Sequence, residues 1–392
     1  MAADGENGET RITARFHDSI AAIPAAAWDS CAGDSNPFLS HAFLAALETS
    51  RSACGETGWT PQHVALEDES GRLIACAPAY LKTHSYGEYV FDHGWANAYA
   101  QNGERYFPKL LVAVPFTPVP GPRLLIHREA PKGTAAALVK TLEHRAAQLG
   151  LSSAHANFCD ADAQAALAQA GWLRRAGVQF HWANDGYRSF DDFLAALSSR
   201  KRKMIRKERE AVAQAGVTMH ALTGAALEER HWDAFFRFYM ATTDRKWGSP
   251  YLTRKFFTAL SGTMAENVLL VLAERDGKFI AGALNLIGAD ALYGRNWGSI
   301  AHVPCLHFEA CYYQAIEWAI DHGLSRVEAG AQGEHKLARG YLPVETISYH
   351  HIADPRFARA IADFLRRETA GVENYAEELA EYSPFKRDGS EG

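Results

Sequence analysis

Residues 328–343 read EAGAQGEHKLARGYLP and combine several kinds of chemistry in one short stretch. Glu328 and His335 can take or give a proton, and Lys336 and Arg339 can hold an anion. Gly330 and Gly333 let the backbone turn closely and present amides to an oxyanion or a phosphate. Upstream, HVPCLHFEACYYQ sets His307 and Glu309 at the start of a helix-period stretch. A helix N-terminus favours Glu309 as an anion and disfavours a protonated His307, which leaves a neutral imidazole suited to general-base work. Plain capping of the helix end is the other use of this pair, and His302 shares the loop.

A third cluster is the run RKRKMIRKER, with Arg200, Lys201, Arg202, Lys203, Arg206, Lys207 and Arg209. It follows Ser198 and Ser199, two cap-type residues, and stops near Gly216, so the spacing predicts one helix. Met204 and Ile205 give it a narrow apolar face. The chain as a whole carries a formal charge of −6, so a phosphate-bearing partner has to be met by a local patch of this kind. A solvated helix face is the alternative.

Aromatic and charged residues suggest the walls of a cleft. Trp95 in FDHGWANAY and Trp297 in YGRNWGS follow comparable hairpins, with Asp92, His93, Arg295 and Asn296 beside them. Lys246 and Trp247, next to Asp244 and Arg245, precede a GSP turn and suit a substrate clamp or a surface loop. Ser40 and His41 open a helix and enter as minor contacts. VPFTPVPGPRLL is rich in proline, which lacks the N–H that a phosphate cradle uses, and reads as a wall.

The elements that position these residues occur twice. GRLIACA (71–77) and GKFIAGA (277–283) each close a strand–turn–strand pattern. Downstream, a helix-period stretch ends at Gly150 before LSSAHANF, and another ends at Gly323 before LSRVEAGA. GWLRRAGVQFHW (171–182) then matches GYLPVETISYHH (340–351). Each half reads hairpin, strand, helix, strand, short connection, final strand, which predicts an α/β fold whose mixed sheet contains a splayed parallel pair. The first connector, NFCDADAQAALAQAGWL, is alanine-rich and plain. The second is the crowded stretch that opens this section.

The bulk composition fits a soluble two-domain chain: 392 residues, 47% apolar and 22% charged. The six cysteines show no ligand-like spacing, so no metal and no disulfide framework is expected, only buried thiols. The polar N-terminus lacks a leader pattern and no run reaches the ~18 apolar residues of a spanning helix, which reads as a cytoplasmic protein.

This order of elements is similar to the Gcn5-related N-acetyltransferase (GNAT) fold, and two copies resemble the FemABX type of tandem acyltransferase. VAVPFTPVPGPRLL, LSSRKRKMIRKER, DRKWGSPYLTRKFF, HFEACYYQAIEWA and EAGAQGEHKLARGYLP resemble the FemAB-like family of peptidoglycan biosynthesis or recognition, across roughly 15–365. The resemblance implies two GNAT-like domains, 11–185 and 186–365, with an acidic helical tail at 366–392. Positions 357, 360, 361, 364 and 365 of the last helix should dock on the body.

It also implies acyl transfer to an amine, with acyl-CoA as donor and a long-chain, sphingoid-like amine as acceptor, as in bacterial ceramide synthesis. The alternative is aminoacyl transfer from tRNA to a peptidoglycan precursor, and a third reading is a non-catalytic protein that binds a cell-wall or lipid ligand. The expected catalytic residues are His307, Glu309, Glu328 and His335. Arg200, Lys201, Arg202, Lys203, Arg206, Lys336 and Arg339 are expected to bind phosphate, and Trp95, Lys246, Trp247, Trp297, Gly330 and Gly333 to line the cleft. Transient contact with a membrane surface fits a lipid substrate; DNA does not fit, and tRNA belongs to the alternative.

Overall fold

The computed structural model describes residues 11–245, 250–330 and 333–386. Lys246 and Trp247 lie outside these residues, as does the chain end RDGSEG. The frame is an eleven-stranded mixed sheet, in the order Thr218–Leu222, Val268–Arg275, Lys278–Ile287, Ala291–Ser299, Arg326–Glu328, Leu173–Ala183, Leu342–Ile352, Ser153–Ala156, Lys109–Val112, Ala79–Lys82, Trp59–Pro61. Thr13–His17, His63–Glu67, Leu73–Ala77 and Leu125–Ile126 form a second, four-stranded sheet.

The two halves exchange their final strands. Leu173–Ala183 of the first half inserts between Arg326–Glu328 and Leu342–Ile352 of the second, and Leu342–Ile352 pairs in turn with Ser153–Ala156. Leu173 faces His350 and Leu342 faces His181, so swapping the halves maps this ladder onto itself. By the same symmetry Glu328, paired with His181, corresponds to His155, paired with His350. Each half also holds one parallel pair: Lys109–Val112 with Ser153–Ala156, and Ala291–Ser299 with Arg326–Glu328.

The hairpins of the two halves differ because of one residue. Lys278–Ile287 runs unbroken, whereas Pro78 divides its counterpart into Leu73–Ala77 of the small sheet and Ala79–Lys82 of the large one. Proline has no N–H for the ladder, so pairing stops there. A further cluster joins the halves: Trp28, Phe38, Phe43 and Trp59 pack in one apolar core with Trp232, Phe235, Phe256, Phe257 and Tyr293.

The last helix, Pro355–Glu381, is continuous across the expected boundary at 365. Phe357, Ile361 and Leu365 are buried against Trp95, Tyr99 and Tyr106, while residues 360 and 364 face solvent, so the docked stripe is narrower than expected. Of the cysteines, Cys31, Cys76 and Cys159 are buried; Cys54, Cys305 and Cys311 are half-buried, and all six are free thiols.

Three histidines on the exchanged strands and the strand beside them are held neutral. Burial first, then Arg326 and Lys336, lowers His181 to about 4. Burial likewise pushes His155 and His350 well down. In the unfolded chain each takes a proton near 6.5, so the unfolded state binds more protons as pH falls below that value. Stability is therefore full above pH ~6.5 and declines below it by about 1.4 kcal/mol per pH unit for each such histidine. Urea titrations from pH 7.5 to 5 should show this slope, and a flat profile would contradict it.

Candidate active site in the second half

Beyond the end of the Ala291–Ser299 and Arg326–Glu328 pair lies a cavity of about 390 Å³. Its walls include Asn285, Arg295, Asn296, Trp297, His307, Tyr312, Ala329, Gly333 and His335. Two backbone irregularities shape it. The register between Lys278–Ile287 and Ala291–Ser299 skips Arg295, a bulge of the sort that re-aims side chains beside functional sites. In the helix that runs from Leu306 to Asp321, Glu309–Tyr313 is a π-helical turn.

Aromatic rings surround His307. The edge of Trp297 is 5.3 Å away between centroids, Tyr312 is 5.4 Å away and His335 6.0 Å. The Tyr312 hydroxyl lies 2.8 Å from His335 Nε2. Burial drives the Tyr312 pKa far above its ordinary value, so the hydroxyl keeps its proton at neutral pH. Asn285 Nδ2 donates to Leu269 O at 3.2 Å, and its buried Oδ1 has no hydrogen-bond partner. Gly333 has φ +118°, and a Cβ there would stand 2.6 Å from His335 Cε1, so only glycine allows this placement of the imidazole.

The neighbouring basic helix is Ser199–Gln214. Ser198 occupies its N-cap without a side-chain hydrogen bond, so the cap role expected for that hydroxyl is not met. Ile205 and Val212 anchor the helix in the body. Two ion-pair clasps fasten it to the cavity walls. Arg209 bridges Glu309 at 3.1 Å and Glu317 at 2.7 Å. Glu208 accepts from Arg339 at 2.6 Å, and the Arg339 guanidinium lies 3.4 Å over the Phe308 ring. Arg200, Lys203 and Lys207 occupy one helix face and line a second pocket of about 470 Å³ with Cys305. Cys305 directly precedes the helix that carries His307, so the cationic pocket and the cavity share that helix start.

The structure brings His307, His335, Trp297 and Gly333 together and separates the rest. Glu309 is buried against Arg209 and does not reach the cavity. Glu328 points away from it, because successive residues of a strand face opposite sides; Ala329 lines the cavity instead. Arg339 is a clasp to Glu208, not an open cation. Lys336 is 1% exposed with its ammonium on Gly330 O at 2.7 Å, and burial lowers it to about 8. Arg206 pairs with Asp191, and Lys201 and Arg202 are half-buried beside the pocket without lining it.

Trp95 is a core residue stacked on His155 and edge-on to His350, and Asp92 is a buried anion beside Lys109. Ser40 caps its helix through Phe43 N, and His41 Nε2 bonds to Ile20 O and Ile23 O. His302 and His93 are exposed, away from the cavity. Asn285 and Tyr312 were not singled out from sequence. A buried asparagine in an apolar strand was the available signal for the first, and the π turn that aims the second leaves none.

In the first half the matching end of the parallel pair is occupied by the chain itself. Beyond its parallel pair the proline-rich loop folds inward, and the buried Arg123 guanidinium donates to Asn157 O at 2.6 Å, Val119 O at 2.6 Å and Pro122 O at 2.9 Å. The loop expected to be a wall fills that end of the pair.

Residues 19–387 match the FemAB-like family, described as peptidoglycan biosynthesis/recognition. The chain belongs to that family. Among solved structures, FemX superposes with a TM-score of 0.54 at 12% identity, over 87% of this chain and 98% of FemX. The C-terminal domain of an Agrobacterium fabrum protein described as a lysylphosphatidylglycerol synthetase gives 0.53 at 10%, over 90% and 97%. L-PGS from Bacillus licheniformis gives 0.50 at 11%, over 86% and 97%. No curated protein matches the sequence significantly. The FemAB-like chain thus has the fold of FemX and of these two further structures. Among its described residues no cluster of His, Cys, Asp and Glu could hold a metal ion, and no helix is long and apolar enough to cross a membrane.

Proposed function

We propose that the protein transfers an acyl group from a phosphate-bearing carrier to an amine, with chemistry in the second-half cavity and acyl-CoA as the donor. The observation that carries this is the shared helix start, which sets the Arg200, Lys203 and Lys207 pocket next to the cavity of His307, Tyr312 and His335. The cations hold the donor's phosphates. In the cavity the amine nitrogen attacks the carbonyl carbon, the C–S bond breaks, and His307 takes the ammonium proton. Tyr312, bonded to His335, returns a proton to the leaving thiolate. Asn285 Oδ1 is an acceptor for an amine N–H, and the Arg295 side chain brings positive charge to the developing oxyanion.

Aminoacyl-tRNA is the second reading, favoured by the cations of the same helix that lie outside the pocket, Lys201, Arg202 and Arg206. Family membership supports an acceptor in cell-envelope assembly, either a peptidoglycan precursor or a lipid amine. Purified protein should be incubated with an amine panel and acyl-CoAs of several lengths, and thiol release followed. Release with at least one pair is expected. No release with any pair, alongside consumption of aminoacyl-tRNA, would replace the first donor by the second.

Charge reversal tests the donor pocket. Lys203→Glu with Lys207→Glu should raise the donor KM by at least about 100-fold, since charge-assisted hydrogen bonds contribute about 1.5–3 kcal/mol each and two are lost. The salt dependence of KM should weaken in parallel. An unchanged donor KM would remove this helix from donor binding.

A further inference from the structure

On the opposite side of the Arg326–Glu328 strand lies a groove of about 770 Å³. Trp182, Tyr187, Leu342 and Phe385 give it apolar walls, and Glu328 and His181 also line it. Glu328 is 4% exposed. Its Oε1 accepts from Arg326 Nε at 3.0 Å, but the buried Oε2 has no hydrogen-bond partner. His181 does not supply one: its Nε2 is 3.9 Å from Glu328 Oε2 and bonds to Gln179 Oε1 at 3.1 Å. A buried carboxylate oxygen without a donor is costly, so this atom is a vacant acceptor in the wall of a ligand-sized groove.

The charged side chains that line the groove are mostly acidic. Glu328, Asp185 and Glu345 line the groove against a single cation, Arg326, which is already bonded to both Asp290 and Glu328. We propose that the groove binds a primary ammonium on an apolar body, with the ammonium on Glu328 Oε2 and the body along the aromatic and aliphatic walls. An alkyl chain ending in a carboxylate or hydroxyl does not match the lining as well: the first adds a like charge, and the second brings no positive charge to a mostly acidic groove.

Glu328 adjoins Ala329, which lines the cavity of His307, so the groove and the cavity meet back to back at this strand end. The strand separates the groove from His307, so the groove is a binding site distinct from the cavity and does not rest on the transfer reading.

Calorimetry with n-octylammonium, n-octanol and octanoate, in the absence of any donor, tests the groove. Octylammonium should bind at least tenfold more tightly than the other two, and Glu328→Gln should remove at least tenfold of its affinity. Should that variant fail to fold, Val344→Lys, at a position 38% exposed on the groove wall, should weaken octylammonium and leave octanol unchanged. His307→Ala should bind octylammonium like the parent. Equal affinity for octylammonium and octanol, full affinity in Glu328→Gln, or loss in His307→Ala would each overturn the assignment.

Discussion

Replacing His307 by alanine is expected to lower kcat for amide formation by about 100- to 10,000-fold, the usual range for a general base. The binding of the donor phosphates should survive, because the cations of the neighbouring helix are untouched. The defect should shrink as pH rises, since an amine that is already neutral needs no base. Measuring kcat and the donor KM from pH 6 to 10 separates this from a structural effect. A loss that is equal at every pH, or that appears in KM alone, would move the base elsewhere. Tyr312→Phe gives the complementary profile: its deficit should be smallest with a donor whose leaving group needs no proton.

Lys109→Met should cost about 3–5 kcal/mol of stability, the usual penalty for breaking a buried ion pair from one side. Lys109 is 1% exposed, bonds Glu88 at 2.7 Å and also contacts Asp92. Burial opposes its charge, yet the two carboxylates outweigh that and hold its pKa above the ordinary value. Asp92 in turn accepts from Tyr106 at 2.5 Å, and His155 Nδ1 lies 2.7 Å from His350 Nδ1 on the exchanged strand. Methionine fills the volume but leaves Glu88 and Asp92 uncompensated. Adding Glu88→Gln and Asp92→Asn should recover most of the loss, and chemical denaturation of the single and triple variants reads the difference. If Lys109→Met costs under about 1 kcal/mol, the cluster is not holding this region together.

This cluster and the candidate active site occupy opposite halves of a duplicated frame. In the first half, Lys109 sits at the start of its parallel pair and Arg123 fills the far end. In the second half the far end is open and lined by ionisable and aromatic groups. The crowded connector 328–343 borders that cavity, whereas the plain connector 157–173 follows the strand end that Arg123 fills.

Much of the frame was legible in the sequence because it depends on local rules. The hairpins, the glycine stops at Gly150 and Gly323, and the basic helix follow from periodicity and turn chemistry that adjacent residues carry. The grouping of His307 with His335 was also within reach, since both sit in short motifs next to predicted element ends. Glu309 and Arg339 were misread for a physical reason. Their types suit catalysis or phosphate binding, but each met an opposite charge, Arg209 or Glu208, that sequence spacing gives no way to pair. Trp95 was misread because the first half folds the Asp92–Tyr106 segment over His155 and His350.

By itself the sequence determined the duplicated α/β elements, the family and the composition of the candidate site. Tertiary structure decided the strand exchange, the separation of Glu328 from His307 onto opposite sides of one strand, and the plug at Arg123. These depend on register and on contacts between residues far apart in the chain, where a shift of one position turns a side chain to the other face.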